Sequence, residues 1–330
     1  YSLGNKIAGE NYKSKINKIS KILILNKVDY LFISAPENVA WTLNIRGYDN
    51  PNSPIPNCRL IIGKNKKLFL IAKKEKALKI IKEKKLSKNQ VINPENFLSL
   101  IYKLKGNKFI IDSLSCSIFN ENIISSKFHI IDKDDPCYKL KSIKNSSEIK
   151  HMINAHIEDG LALTKFIFWI KNTYKKKITE IDAQNKLEKF RKINKNYLFP
   201  SFNTISGTGS NGAIVHYKAS KRSNKIIKKS DIFLCDSGGQ YKYGTTDVTR
   251  TICFSKQKKS VKDIFTKVLK GHIAVATTNI NQYKNGKQID LRARKFLKKD
   301  GLDYAHGTGH GVGFFSNVHE GPQSITNINT

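Results

Sequence analysis

Two strand-length runs, DIFLCD (231–236) and DVTRTICF (247–254), are joined by the Gly/Tyr-rich stretch SGGQYKYGTT, and no other part of the chain constrains its folding as tightly. Apolar and β-branched residues on both sides of a glycine-rich connection predict a β-hairpin. Asp236 ends the first run and Asp247 begins the second, so antiparallel pairing brings two carboxylates to one end of the hairpin. Facing carboxylates in a partly buried place repel unless a cation lies between them. A surface hairpin with two solvated aspartates is the plainer alternative, and the pair alone does not decide between them.

Histidines supply the rest of the pattern. HGTGH (306–310) sets His306 and His310 four positions apart among glycines, which permit close approach of a substrate chain. His319 follows in NVHEGP (317–322), and His216 precedes the hairpin in SGTGSNGAIVHYKAS. Each could be an ordinary loop or core histidine. Their order within one stretch of chain, His, Asp, Asp, His-x-x-x-His, His, is what gives them weight.

Upstream of this region the texture differs. YKSKINKISKILILNK (12–27) places Ile16, Ile19 and Leu23 at helical spacing, DYLFISA (29–35) has strand length, and ENVAWTLNIRG (37–47) predicts a helix ended at Gly47. A proline-rich loop with Pro51, Pro54 and Pro56 follows. Next come the strand-like RLIIG and KLFLIA, the helical KKEKALKIIKEKK and the strand-like KFIIDS. Alternating strands and helices predict an α/β domain over residues 1–142. After a lysine- and serine-rich connection, Asn145 and Glu148 are spaced for a reciprocal N-cap on a long amphipathic helix through Met152, His156, Leu163, Phe166 and Ile170. From residue 200 on, Gly-punctuated β-branched segments predict an α+β domain on antiparallel strands, giving a second domain over 143–330.

The length of 330 residues suits about two domains of roughly 150 residues each. A formal net charge of +33 raises the question of nucleic acid. The lysines are spread evenly beside Ile and Asn, as a general compositional bias would leave them, and no specific nucleic-acid partner is expected. The longest apolar runs, such as LFISA (31–35) and FIFWI (166–170), fall far short of the ~20 residues that span a bilayer. Five cysteines, odd in number and without CxxC spacing, read as reduced thiols in a cytoplasmic protein.

FNTISGTGSNGAIVHY, DSGGQYKYGTTDVTRT, HGTGHGVG and NVHEGP together resemble the motif series of the aminopeptidase P family, Xaa-Pro aminopeptidases of the pita-bread metallopeptidases (M24B). WTLNIRG (41–47) resembles the matching motif of the family's creatinase N-terminal-like middle domain, and SSEIKHMINAHIEDGLALTKFIFWI resembles the first helix of its catalytic domain. The likeness runs along essentially the whole chain and is strongest to the three-domain form. It implies an α/β middle domain followed by a pita-bread catalytic domain that lacks its C-terminal end.

The resemblance also implies roles. Asp236, Asp247 and His310 match metal ligands of a two-metal centre, usually manganese, with Asp247 bridging both ions. His319 matches a proton shuttle, and His216 and His306 match histidines that hold the substrate and stabilise the tetrahedral intermediate. The implied reaction is release of the N-terminal residue from peptides with proline second, through attack of a metal-bridging hydroxide. Two further ligands, both glutamates, are expected beyond Thr330, and the family's first domain is expected ahead of Tyr1. A fragment with these limits is expected to be inactive and to bind manganese weakly. Prolidase activity on Xaa-Pro dipeptides is the nearest alternative, and a metal-free pita-bread module binding peptides, histones or nucleic acid is another. Family members commonly form homodimers through the catalytic domain, so a homodimer of the full-length protein is possible on this reading.

Overall fold

The computed structural model describes residues 1–327, and two compact units are seen in it, the first over Tyr1–His151 and the second from Met152 onward. In the first, the amphipathic stretch forms a helix over Tyr12–Leu25, started by Asn11, whose side chain accepts from the Lys13 amide at 2.9 Å. Its Ile16, Ile19 and Leu23 are buried against the central sheet, each removing apolar area worth about 2 kcal/mol from water. That sheet has six strands: β1 (Tyr30–Ile33), β2 (Arg59–Gly63), β3 (Leu68–Ile71), β4 (Val91–Ile92), β5 (Lys108–Ile111) and β6 (His129–Asp132), in the order β4-β3-β2-β1-β5-β6. The β1-β5-β6 and β3-β4 pairs are parallel and the β1-β2-β3 meander is antiparallel. Helices pack on both faces, giving two separate apolar clusters, as expected for an α/β layer fold.

One boundary differs from expectation. The helix expected to end at Gly47 spans Pro36–Leu43 and closes at Asn44, which takes a left-handed conformation (φ 49°). Asn44 can do so because its short amide is held on both sides: Oδ1 accepts from the buried Lys15 ammonium at 2.7 Å, and Nδ2 donates to the Glu10 carbonyl at 2.7 Å.

The reciprocal cap forms as expected. The Asn145 amide donates to Glu148 Oε2 at 3.0 Å, and Asn145 Oδ1 accepts from the Ser147 and Glu148 amides. It starts the 28-residue helix Ser146–Thr173. Asn145 Nδ2 also donates to the Ala8 carbonyl at 2.9 Å, and this tie draws the first turn of the helix into the first unit, past Ser142.

In the second unit every strand pairing among the described residues is antiparallel. Strands β7 (Tyr197–Pro200), β10 (Gly239–Tyr241) and β11 (Gly244–Thr245) form one three-stranded sheet, and β8 (Ile205–Thr208), β9 (Ile232–Ser237) and β12 (Val248–Cys253) form another. The pair β13 (Gly309–Gly311) and β14 (Glu320–Ile325) completes it among the described residues. Leu163, Phe166 and Ile170 of the long helix, with Ala183 and Leu187 of the Glu180–Lys192 helix, cover Phe233 and Cys235 of β9 and Ile252 of β12. Two further helices, Lys259–Ala276 and Gly286–Lys298, pack closely together. Their approach needs Gly271, where a Cβ would meet the Ala293 carbonyl oxygen at 2.3 Å.

Candidate metal centre

The hairpin pairs β9 with β12 in the register that sets Asp236 opposite Thr249 and Ser237 opposite Val248. Asp247 precedes β12 by one residue, so both carboxylates sit at the same end of the pair. The turn that permits this passes Gly238, where a Cβ would lie 1.9 Å from the Thr246 carbonyl oxygen. The Thr249 hydroxyl donates to Asp236 Oδ1 at 2.7 Å. Burial pushes the Asp236 carboxyl above its ordinary range and the charge of Asp247 adds to it, against the Thr249 hydroxyl and the imidazoles of His216 and His310.

His310 lies on β13, and its Nε2 stands 3.3 Å from Asp247 Oδ2. Its Nδ1 faces the Gly311 carbonyl at 2.9 Å. The bond to Asp247 raises the His310 pKa above its ordinary value, with burial working the other way. The His319 ring packs edge-on against His310 with centroids 4.1 Å apart. Burial and the neighbouring His310 hold the His319 pKa down. His216 completes the group through its charge interaction with Asp236 and His319. Asp236, Asp247, His216, His310 and His319 thus come together from four separate segments. His306 does not join them: its ring packs on Tyr304 at 4.9 Å and its Nδ1 faces the Gly307 carbonyl at 2.7 Å.

Two buried ion pairs behind these segments were not anticipated. Asp159, on the long helix, takes Arg191 Nε at 2.6 Å, the Tyr241 hydroxyl at 2.8 Å and the Thr246 hydroxyl at 2.9 Å, and Arg191 Nη2 reaches Ser237 Oγ at 3.0 Å. Ser237 and Thr246 directly adjoin Asp236 and Asp247, so this network fixes the end of the hairpin from its buried side. The second pair is Arg294 with Asp290 at 2.8 Å. Arg294 also donates to Asp303, to the Tyr304 carbonyl at 2.6 Å and to the His306 carbonyl at 2.7 Å, while the Thr308 hydroxyl donates to Asp290. That clamp sets the path of HGTGH. A signal existed in the sequence: Asp159 falls on the helical stripe of Ala155, Leu163, Phe166 and Ile170, and Arg191 continues the stripe of Ala183 and Leu187. A charge on the apolar face of a helix is buried and must be paired.

Two carboxylates and an imidazole are donors that suit a divalent cation. The His310 side chain is arranged as in metal sites, with one ring nitrogen turned to a backbone carbonyl and the other toward the Asp247 carboxylate. Among the described residues no three His, Cys, Asp or Glu side chains converge into a ready chelating cluster. Asp247 and His310 are the close pair, and Asp236 joins them through its field. In donor chemistry the residues fit such an ion.

The profile of metallopeptidase family M24 matches residues 150–330, and that of the creatinase/prolidase N-terminal domain matches residues 1–148. The probable Xaa-Pro aminopeptidase P of Neosartorya fischeri is 37% identical over 97% of this chain and 51% of its own length. Xaa-Pro aminopeptidase 1 of Dictyostelium discoideum is 37% identical over 99% of this chain and 52% of its own. The chain therefore spans about half the length of these curated relatives. Among solved structures, the X-prolyl aminopeptidase of Caenorhabditis elegans superposes with a TM-score of 0.90 at 28% identity, covering 100% of this chain and 55% of that one. The prolidase of Pyrococcus furiosus superposes with a TM-score of 0.70 at 25% identity, over 94% and 86%. On matched profile, relatives and fold together, the chain belongs to metallopeptidase family M24, with a creatinase-type domain preceding its pita-bread domain.

Proposed function

We propose that this chain carries the middle and catalytic domains of a metal-dependent aminopeptidase that releases the N-terminal residue from peptides with proline at the second position. The observation that carries the reading is the meeting of His310 Nε2 with Asp247 Oδ2 at 3.3 Å beside Asp236, with His319 packed edge-on against His310. Asp236, Asp247 and His310 are the proposed metal ligands, with manganese as the proposed metal. The C. elegans relative is described as having a di-nuclear active site, which supports two ions per site. Divalent ions supply, when bound, acidity to a water nucleophile and polarisation of the scissile carbonyl.

The chain's own residues do the remaining work. His319 would accept a proton from the attacking water and pass it to the departing proline nitrogen, since it is solvent-accessible and its lowered pKa leaves the ring neutral and able to accept at pH 7. His216 is placed to hold the substrate from the loop beside Asp236. His306 would hold substrate from the edge of the site, its backbone fixed by Arg294.

The likeness to the P. furiosus prolidase keeps dipeptide cleavage as the second reading. The full-length gene product, assayed on an Xaa-Pro-Yaa tripeptide and an Xaa-Pro dipeptide with and without chelator, separates them. We expect the tripeptide to be cut, the activity to vanish on chelation and manganese to restore it; cleavage of the dipeptide alone would assign a prolidase. We place the protein in the cytoplasm: its five cysteines are unpaired, no helix among the described residues is long and apolar enough to cross a membrane, and the C. elegans relative is described as cytosolic.

A further inference from the structure

Glu180 is fully buried at the start of the Glu180–Lys192 helix, yet its carboxylate is turned away from the helix into the following loop region. There it gathers four separate points of one segment. Oε1 accepts from the Thr208 amide at 2.7 Å and from Asn211 Nδ2 at 3.0 Å. Oε2 accepts from the Tyr217 hydroxyl at 2.8 Å and from the Lys225 amide at 3.1 Å. The Tyr217 hydroxyl in turn accepts from Asn211 Nδ2 at 2.7 Å, and the Ser206 hydroxyl donates to the Glu180 carbonyl at 2.8 Å. Two of the four donors are backbone N–H groups, which cannot accept, so each carboxylate oxygen must act as an acceptor toward one of them.

The segment so held is the one that carries His216. Asn211 and Tyr217 are buried on Glu180, while Ile214, Val215 and His216 between them form an exposed crown. His216 takes a left-handed backbone (φ 54°), a conformation uncommon outside glycine. The same segment begins on β8, whose Gly207 and Ser206 pair with Leu234 and Cys235 of the strand bearing Asp236. The crown is thereby referenced both to the strand bearing Asp236 and to one buried carboxyl group.

We infer that Glu180 is a positioning residue for His216: its carboxylate clasps residues 208–225 and holds the His216 ring at the site. This rests on the reading of His216 as a substrate-holding group. Glu180→Gln keeps the shape and replaces one acceptor by a donor facing the same N–H groups. In that variant, amide hydrogen exchange at Thr208 and Lys225 should quicken about tenfold or more, and the His216 ring resonance should move toward that of an unstructured histidine. Exchange within the Ser146–Thr173 helix should stay as in wild type. On an Xaa-Pro-Yaa peptide, Glu180→Gln should lower kcat/KM about tenfold in the wild-type background and have no added effect in a His216→Ala background. Tyr217→Phe, which removes one donor only, should show the same pattern more weakly and serves if Glu180→Gln does not fold. Unchanged exchange and an unmoved His216 resonance would overturn the inference, as would an equal loss of activity with and without His216. A protein that cleaves no Xaa-Pro peptide would remove the functional reading, and the exchange and resonance measurements would still decide whether Glu180 holds His216.

Discussion

Arg191 is fully buried and its guanidinium faces a similarly buried Asp159, so removing either leaves the other charge desolvated without its counter-charge. Arg191→Met should therefore lower the stability of the second unit by about 3–5 kcal/mol in urea unfolding, and pairing it with Asp159→Leu should recover most of the loss. Equal stabilities for the single and double variants would contradict this account of the pair. A different buried charge gives a pH signature in the first unit. Burial lowers the Lys15 pKa from 10.5 to about 8. Its folded pKa lies below its unfolded one, so between them the unfolded chain binds more protons and stability rises with pH. Wild type should gain stability on going from pH 8 toward 10 relative to Lys15→Met; parallel curves for the two proteins would refute it. Neither ion pair was anticipated, although both lie on helical stripes, because a one-dimensional pattern shows which face is buried and leaves the partner of a buried charge to the tertiary fold. The aspartates and histidines were legible for the opposite reason: their chemistry is concentrated in short glycine-flanked motifs.

At the scale of elements, the β9–β12 hairpin converts spacing into geometry, and the antiparallel register sets the Asp236 and Asp247 positions at the same end of the pair. Its turn depends on the absence of a side chain at Gly238, since a Cβ there would collide with the Thr246 carbonyl. Gly238→Ala should cost about 1–3 kcal/mol and disturb the Asp247 side of the site, seen as weakened manganese binding; unaltered binding and stability would show that the turn relaxes freely. The start of the long helix was legible where a cap residue and a periodic stripe agree, at Asn145, and the Tyr12–Leu25 helix from its stripe alone. The end of the Pro36–Leu43 helix was misplaced because Asn44 stops it through a tertiary bond from Lys15, a contact that local sequence does not contain.

At the scale of the molecule, the charge of +33 is spread along the chain, while the site itself is built from aspartates and histidines. Binding to polyanions should then be sequence-independent and steeply salt-dependent. Two unrelated oligonucleotides should bind equally at low salt and lose affinity about a hundredfold or more by roughly 200 mM, whereas a tenfold preference for one would point to a specific nucleic-acid partner. The central claim concerns the hairpin as a metal centre, with Asp247 in contact with His310 and the proposed bridge between two ions. Manganese content per chain in the full-length gene product, measured by mass spectrometry after dialysis, tests it most directly. The account predicts about two ions in wild type and fewer than one in Asp247→Asn, with the fold retained by circular dichroism. Unchanged manganese content in Asp247→Asn would contradict it.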